Sequence, residues 1–270
     1  MIHVVTVHHR SEQWIDVQAS YLSRHLSEPY TTWANLEGVE HRASSFDHVV
    51  PAGGGHAGKL NLIAAEVATC APPDDLIMFL DGDAFPIVDP MPVVREALSA
   101  ADLVAVRRAE NVDEPQPHPC FAVTTVGTWS AIHGDWAAGH QWRGPHGRVV
   151  SDVGGNLLRL LELHGKRWHA LLRSNRVDLH PLWYGIYGDV VYHHGAGFRA
   201  NAVSRWDRRD EPRPLLPRLA ELGWLGRPVD RVNAHRSRAW ERRVAAQRTA
   251  QSEAIYQALS TDPEFYKRFL

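Results

Sequence analysis

The chain has 270 residues, 44% hydrophobic and 22% charged, with a formal net charge of -2. This is the balance of a globular protein able to bury one large core or two modest ones, and it excludes a chain that binds polyanions through overall charge. No apolar run is long enough to span a bilayer. Met1 to Val7 is cut short as a secretory signal by His8, His9 and Arg10. Cys70 and Cys120 are too few for a disulfide framework, so a cytoplasmic location is expected.

His3 to Val7 reads as a first strand. A helical stretch follows from Glu12 to His25, with Trp14, Val17, Tyr21 and Leu22 at helical spacing. Tyr30 to Leu36 reads as a second strand, and His48-Val49-Val50 as a short third one closed by Pro51. The glycine-rich turn Gly53-Gly54-Gly55 opens a helix whose apolar stripe is Leu60, Ile63, Ala64, Val67 and Ala68. Pro72-Pro73 ends that helix. Leu76 to Leu80 is a run of five large apolar residues without alternation, as expected of a strand covered on both faces. A helix from Pro90 to about Ala100 and a strand at Leu103 to Val106 continue the alternation, which is the signature of a mostly parallel α/β sheet.

Residues 107–150 read as loop-rich, with Pro115, Pro117, Pro119 and the tryptophans Trp129, Trp136 and Trp142. Ser151-Asp152 is expected to open a helix over Gly155 to Leu163, and Gly188 to Gly195 reads as a late strand running into a turn. Between Arg199 and Arg248 there are thirteen arginines against six acidic residues, with prolines at 212, 214 and 217 marking a linker. Helical pattern resumes around Trp240, Val244, Ile255 and Leu259. Thr261-Asp262-Pro263-Glu264 caps a last short helix. The expected domains are a catalytic one over 1–200, with halves of about 1–106 and 107–200, and an Arg/Pro-rich linker with a helical extension over 201–270.

Asp81-Gly82-Asp83 ends the buried run. In α/β sheets ligands gather at the carboxyl ends of strands. Two carboxylates at i and i+2 of an extended chain project to one side, and Gly82 between them leaves room for a bulky anion. Such a pair suits Mg²⁺ or Mn²⁺, which complete their shells with water and phosphate oxygens. The same tripeptide is also ordinary turn chemistry after a strand. His193 and His194 offer a third ligand, and on an extended segment only one of them can face the site. His194 is the choice and His193 its substitute. Glycines at 195 and 197 fit a backbone passing close to phosphate. Lys59, beside a helix start, and Arg199 are candidates for anion contacts.

With these motifs in this order, the chain resembles metal-dependent glycosyltransferases of the GT-A fold over roughly Met1 to Arg199. The resemblance rests on His56-Ala57-Gly58-Lys59-Leu60-Asn61, Asp81-Gly82-Asp83 and His193-His194-Gly195. It implies a mixed, mostly parallel sheet flanked by helices, here with a C-terminal helical extension. It also implies a nucleotide-diphosphate sugar as donor, UDP being favoured, with Mn²⁺ or Mg²⁺ held by Asp83, Asp81 and His194 against the diphosphate. Asp81 would also face donor hydroxyls. Thr6, His8 and Arg10 lie where such enzymes grip base and ribose, and Lys59, Asn61 and Arg199 where the donor passes. Asp152 is placed as the base that deprotonates the acceptor in inverting members. Trp129, Trp136 and Trp142, with His118 and Phe121, lie where the acceptor site is built. The acceptor is expected to be a soluble small molecule, nucleic acid is not expected as a partner, and the C-terminal helices either cover the acceptor side or support a homodimer. Rival readings are a sugar-1-phosphate nucleotidyltransferase, whose N-terminal glycine-rich nucleotide loop is missing from His3 to Ser20, and a haloacid-dehalogenase-type phosphatase, in which Phe85 would have to be threonine. A third is a nucleotide-binding protein without turnover.

Overall fold

A computed structural model of the chain describes residues 1–51, 53–111, 113–144, 147, 149–177, 180, 182–195, 203, 204, 207–215 and 227–270. The chain forms two compact units, Met1–Phe198 with Tyr266–Leu270, and Arg199–Phe265.

In the first unit β1 (Ile2–His9), α1 (Ile15–His25), β2 (Tyr30–Glu37), β3 (His48–Val49), α2 (His56–Cys70) and β4 (Leu76–Asp81) follow one another. Next come β5 (Ala84–Pro86), α3 (Met91–Leu98), β6 (Leu103–Val106), β7 (His118–Thr125) and α4 (Val126–Ala131). The unit is completed by β8 (Trp142–Arg143), β9 (Val149–Val150), α5 (Gly155–Leu163), β10 (Trp168–Leu171), β11 (Gly185–Tyr187) and β12 (Val191–His193). Seven strands form one sheet in the order β10-β6-β7-β4-β1-β2-β3. All its pairings are parallel except those of β7, which runs against both β4 and β6. The fold is therefore a mixed, mostly parallel sheet flanked by helices, as expected. A smaller antiparallel sheet, β11-β12-β5, adjoins the end of β4.

Both faces of the large sheet are buried, which is why its strands carry continuous apolar runs. Along β4 the side chains divide strictly by parity. Leu76, Met78 and Leu80 pack with Leu22 of α1, with Leu26 just beyond its end, and with Met91 and Val94 of α3. Ile77 and Phe79 pack with Leu60, Ile63 and Val67 of α2, with Trp129 of α4 and with Leu157 and Leu161 of α5. Each such side chain contributes about 1.5–3 kcal/mol on burial. Trp129 and Trp136 belong to this second core, with ring centroids 4.7 and 5.0 Å from Phe79. Both are packing residues of this core. Phe121 is likewise core, while Trp142 is half-buried in β8.

Residues 107–150 are less loop-like than the sequence reads. They contain β7, eight residues long and central in the sheet. The prolines that argue for loop, Pro117 and Pro119, lie at its very start, where a missing N–H is tolerated.

In the second unit a short 3-10 turn, Asp207–Asp210, precedes α6 (Arg227–Thr261), a helix of 35 residues. Only Trp240, Ile255 and Leu259 are buried among its described side chains. Arg248 pairs with the buried Asp207 at 2.8 Å, and Ser204 caps the same carboxylate at 2.6 Å. The expected last helix is a 3-10 turn, Phe265–Phe269, and residues 266–270 belong to the first unit. No helix among the described residues is long and apolar enough to cross a membrane.

Candidate metal centre

From β1 the chain steps outward to β2 and β3, then returns to lay β4 on the other side of β1. The crevice beyond the carboxyl ends of β1 and β4 is thus the point where strand order reverses, the place where open α/β sheets bind ligands. Asp81 is the last residue of β4. Gly82 and Asp83 form a turn, and β5 begins at Ala84. The two carboxylates are therefore brought together by a turn and not by the alternation of an extended strand.

That turn is fixed from three sides. The buried Gln18 amide of α1 donates to the carbonyl oxygens of Asp81 at 2.8 Å and Ala84 at 2.9 Å. The His194 N–H donates to the Asp83 carbonyl at 3.0 Å. Pairing of β5 with β12 sets His193 opposite Ala84. The outcome is a cluster of Asp81, Asp83 and His193 whose ligand atoms all lie within 4.8 Å of one another. His193 Nε2 is 3.6 Å from Asp81 Oδ2 and 3.5 Å from Asp83 Oδ1. Burial by itself lowers the His193 pKa, but the Cys120 thiol and the Asp83 carboxylate beside it outweigh burial and hold it well above the ordinary histidine value. The site thus favours positive charge between its carboxylates. Two carboxylates and one imidazole, nearly dry and preorganised, are a donor set that fits a divalent ion of the Mg²⁺ or Mn²⁺ type, with nitrogen shifting preference toward Mn²⁺.

His194, the expected ligand, is corrected to its neighbour His193. Its ring turns into an aromatic box, 4.5 Å from Trp14 and 5.1 Å from Tyr184, with Nδ1 3.0 Å from the Tyr192 hydroxyl. Burial lowers its pKa to about 4, so it is a neutral packing residue. Gly195 also has a different reason from the one expected. Its φ is +88°, and a Cβ there would lie 2.1 Å from the Leu182 carbonyl oxygen, so backbone and not phosphate occupies the space.

Most of the remaining expected contacts lie elsewhere. Thr6 is in register with Leu80, whereas Val7 is in register with Asp81. Thr6 and His8 therefore project toward α1, on the sheet face opposite Asp81. His8 is fully buried beside Gln18, and burial lowers its pKa to about 4. Arg10 stays at the surface, 3.7 Å from Glu37. Lys59 is buried and ion-paired to Glu37, so its charge is already answered within the fold. Asn61 bonds to Asp135 and accepts the Trp136 N–H at 2.9 Å, tying α2 to the loop after α4. Arg199 lies outside the described residues.

Asp152 does not cap α5, whose N-cap is Gly154 with φ +87°. Its carboxylate bonds its neighbour Val153 N–H at 2.8 Å and Arg108 at 3.2 Å. Arg108 also forks onto buried Glu114 at 3.0 and 3.1 Å. The Asp152 carboxylate is thus engaged within the fold by Val153 and Arg108. His118, at the start of β7, is buried with its ring 6.0 Å from His193, and burial next to Arg108 keeps its pKa well below the ordinary value.

Two residues of the site escape the sequence reading. Gln18 gives no signal, being a polar residue on the inner face of an amphipathic helix. His56 lies in a segment singled out for other reasons, and its Nε2 is 2.9 Å from Asp81 Oδ1.

No family model matches the chain, and neither does any curated protein. Among solved structures it is similar to the glycosyltransferase GlyE of Streptococcus pneumoniae TIGR4, at TM-score 0.41 and 14% identity over 63% of this chain and 44% of that one. It is also similar to the galactosyltransferase LgtC in complex with donor and acceptor sugar analogs, at TM-score 0.38 and 11% identity over 63% and 73%. The third is S. aureus TarS 1-349 in complex with UDP-GlcNAc, at TM-score 0.37 and 12% identity over 50% and 48%. The chain spans less than half the length of the GlyE and TarS chains it matches. At this distance the functional reading has to stand on the residues of the site.

Proposed function

We propose that the protein is a metal-dependent glycosyltransferase that moves a sugar from a nucleotide-diphosphate sugar to an acceptor hydroxyl. The observation that carries this reading is the convergence of Asp81, Asp83 and His193 at the strand-order reversal, beyond the carboxyl end of β4. Breaking the bond between an anomeric carbon and a diphosphate oxygen builds negative charge on the departing nucleotide. A divalent ion held there would supply Lewis-acid stabilisation of that charge. The chain's own residues prepare the place for it: Gln18 fixes the turn, Asp81 and Asp83 present oxygens, and His193 supplies nitrogen. UDP is the first nucleotide to test and a small molecule the expected acceptor. Deprotonation of the acceptor is not assigned to a residue, since Asp152 is tied to Arg108.

The test is calorimetric titration of nucleoside diphosphates, with and without Mn²⁺, on the native protein and on Asp83→Asn. The expected result is tight binding of one nucleotide that needs both Mn²⁺ and Asp83, with a loss of at least about 100-fold in the variant, since outer partners of metal ligands alone are worth about 10–100-fold. Metal-independent binding, or none, overturns the reading.

A further inference from the structure

Asp81 is held at both ends of its carboxylate. Oδ2 faces His193 at 3.6 Å, while Oδ1 is 2.9 Å from Nε2 of His56. His56 is the first residue of α2, directly after the N-cap Gly55. It is thus delivered to Asp81 by an element separate from those that carry the ligand cluster. An ionised carboxylate has no hydrogen to give, so Nε2–H of His56 is the donor. The cluster of mutually close ligand atoms comprises Asp81, Asp83 and His193, and His56 lies outside it on the far oxygen of Asp81.

We propose that His56 is a positioning residue, which grips Oδ1 of Asp81 and so turns Oδ2 toward the ion shared with Asp83 and His193. The proposal rests on the metal reading of the preceding subsection. Carboxylate ligands rotate freely about χ2 unless a second partner holds them, and such outer partners affect metal affinity by about 10–100-fold. His56 is the only described side chain hydrogen-bonded to Oδ1 of Asp81. It is also partly open to solvent, so its removal leaves no buried cavity and the fold should persist.

The experiment follows Mn²⁺ binding to the full chain by the paramagnetic resonance signal of the free ion, with UDP present, for the native protein, His56→Ala, His56→Asn, His56→Gln and Asp83→Ala. Thermal unfolding of each without metal is recorded alongside. Glutamine places an N–H donor at about the reach of Nε2, and asparagine falls short of it. The expected result is a 10–100-fold weaker Mn²⁺ affinity in His56→Ala and His56→Asn, recovery to within about three-fold in His56→Gln, and unfolding midpoints close to native. Native affinity in His56→Ala or His56→Asn overturns the role of His56 while leaving the metal reading intact. Failure of the native protein to bind Mn²⁺, or native affinity in Asp83→Ala, overturns the metal reading itself.

Discussion

His193 and His194 are adjacent, both buried, and opposite in character. His193 lies against two carboxylates, of which Asp83, together with Cys120, favours its charged form. His194 lies among Trp14, Tyr184 and Tyr192, which favour its neutral form. The two should separate cleanly in variants. His193→Ala is expected to lose Mn²⁺-dependent nucleotide binding at nearly native stability. His194→Asn is expected to keep binding within about three-fold but to lose about 1–3 kcal/mol of stability, the penalty for unmaking a buried hydrogen bond. Calorimetry and urea unfolding on both variants check this, and a reversed pattern would return the ligand role to His194. The choice between them was not legible in the sequence, because the phase of a three-residue strand is set by its partner. Here that partner is β5, which sets His193 opposite Ala84. The carboxylate pair was legible because a five-residue apolar run pins the end of β4. The partners of Asn61 and Lys59, Asp135 and Glu37, were not legible, because a polar side chain near a helix start looks the same whatever it bonds to.

At the scale of elements, strands bounded by clear breakers were readable, and β4 and β6 coincide with their expected cores. The short strands β10 and β11 were not, since three or four residues carry too little periodicity. β10 completes the sheet edge through Asp102, which begins the approach to β6. Its carboxylate accepts the Lys166 ammonium at 2.9 Å and the Arg167 N–H at 2.9 Å. Burial would raise the Asp102 pKa, but these two partners hold it below the usual carboxylate value. Because the folded value is the lower one, the contribution is complete above the unfolded value and is lost as pH falls through the folded value. The unfolding temperature should therefore decline below about pH 4, with a shallower decline in Asp102→Asn. Identical acid profiles for the two proteins would exclude this staple. At the turn after β12, Gly195→Ala must place a methyl group against the Leu182 carbonyl at positive φ. A loss of about 3 kcal/mol is expected by chemical denaturation.

At the scale of the molecule, the first unit is discontinuous, being closed by residues 266–270. Phe269 is fully buried there, with its ring 6.3 Å from Tyr184 and 6.1 Å from Tyr192, and its carbonyl accepts the Arg176 N–H at 2.8 Å. Phe269→Ala should cost about 3–5 kcal/mol, as for other large-to-small core changes, and urea unfolding measures it. The sequence suggested a helical tail but not this return, because a five-residue aromatic segment shows no partner until the fold supplies one.

Tyr192, against which Phe269 stacks, is the residue before His193. During synthesis, then, the strands of the large sheet emerge and can pair long before the wall behind His193 exists. Domains tend to fold from the amino end as they appear, yet here the strand that carries His193 waits for residue 269. A growing chain arrested short of residue 269 would hold a sheet whose β12 lacks its aromatic backing, so the setting of His193 is completed only once that residue has emerged.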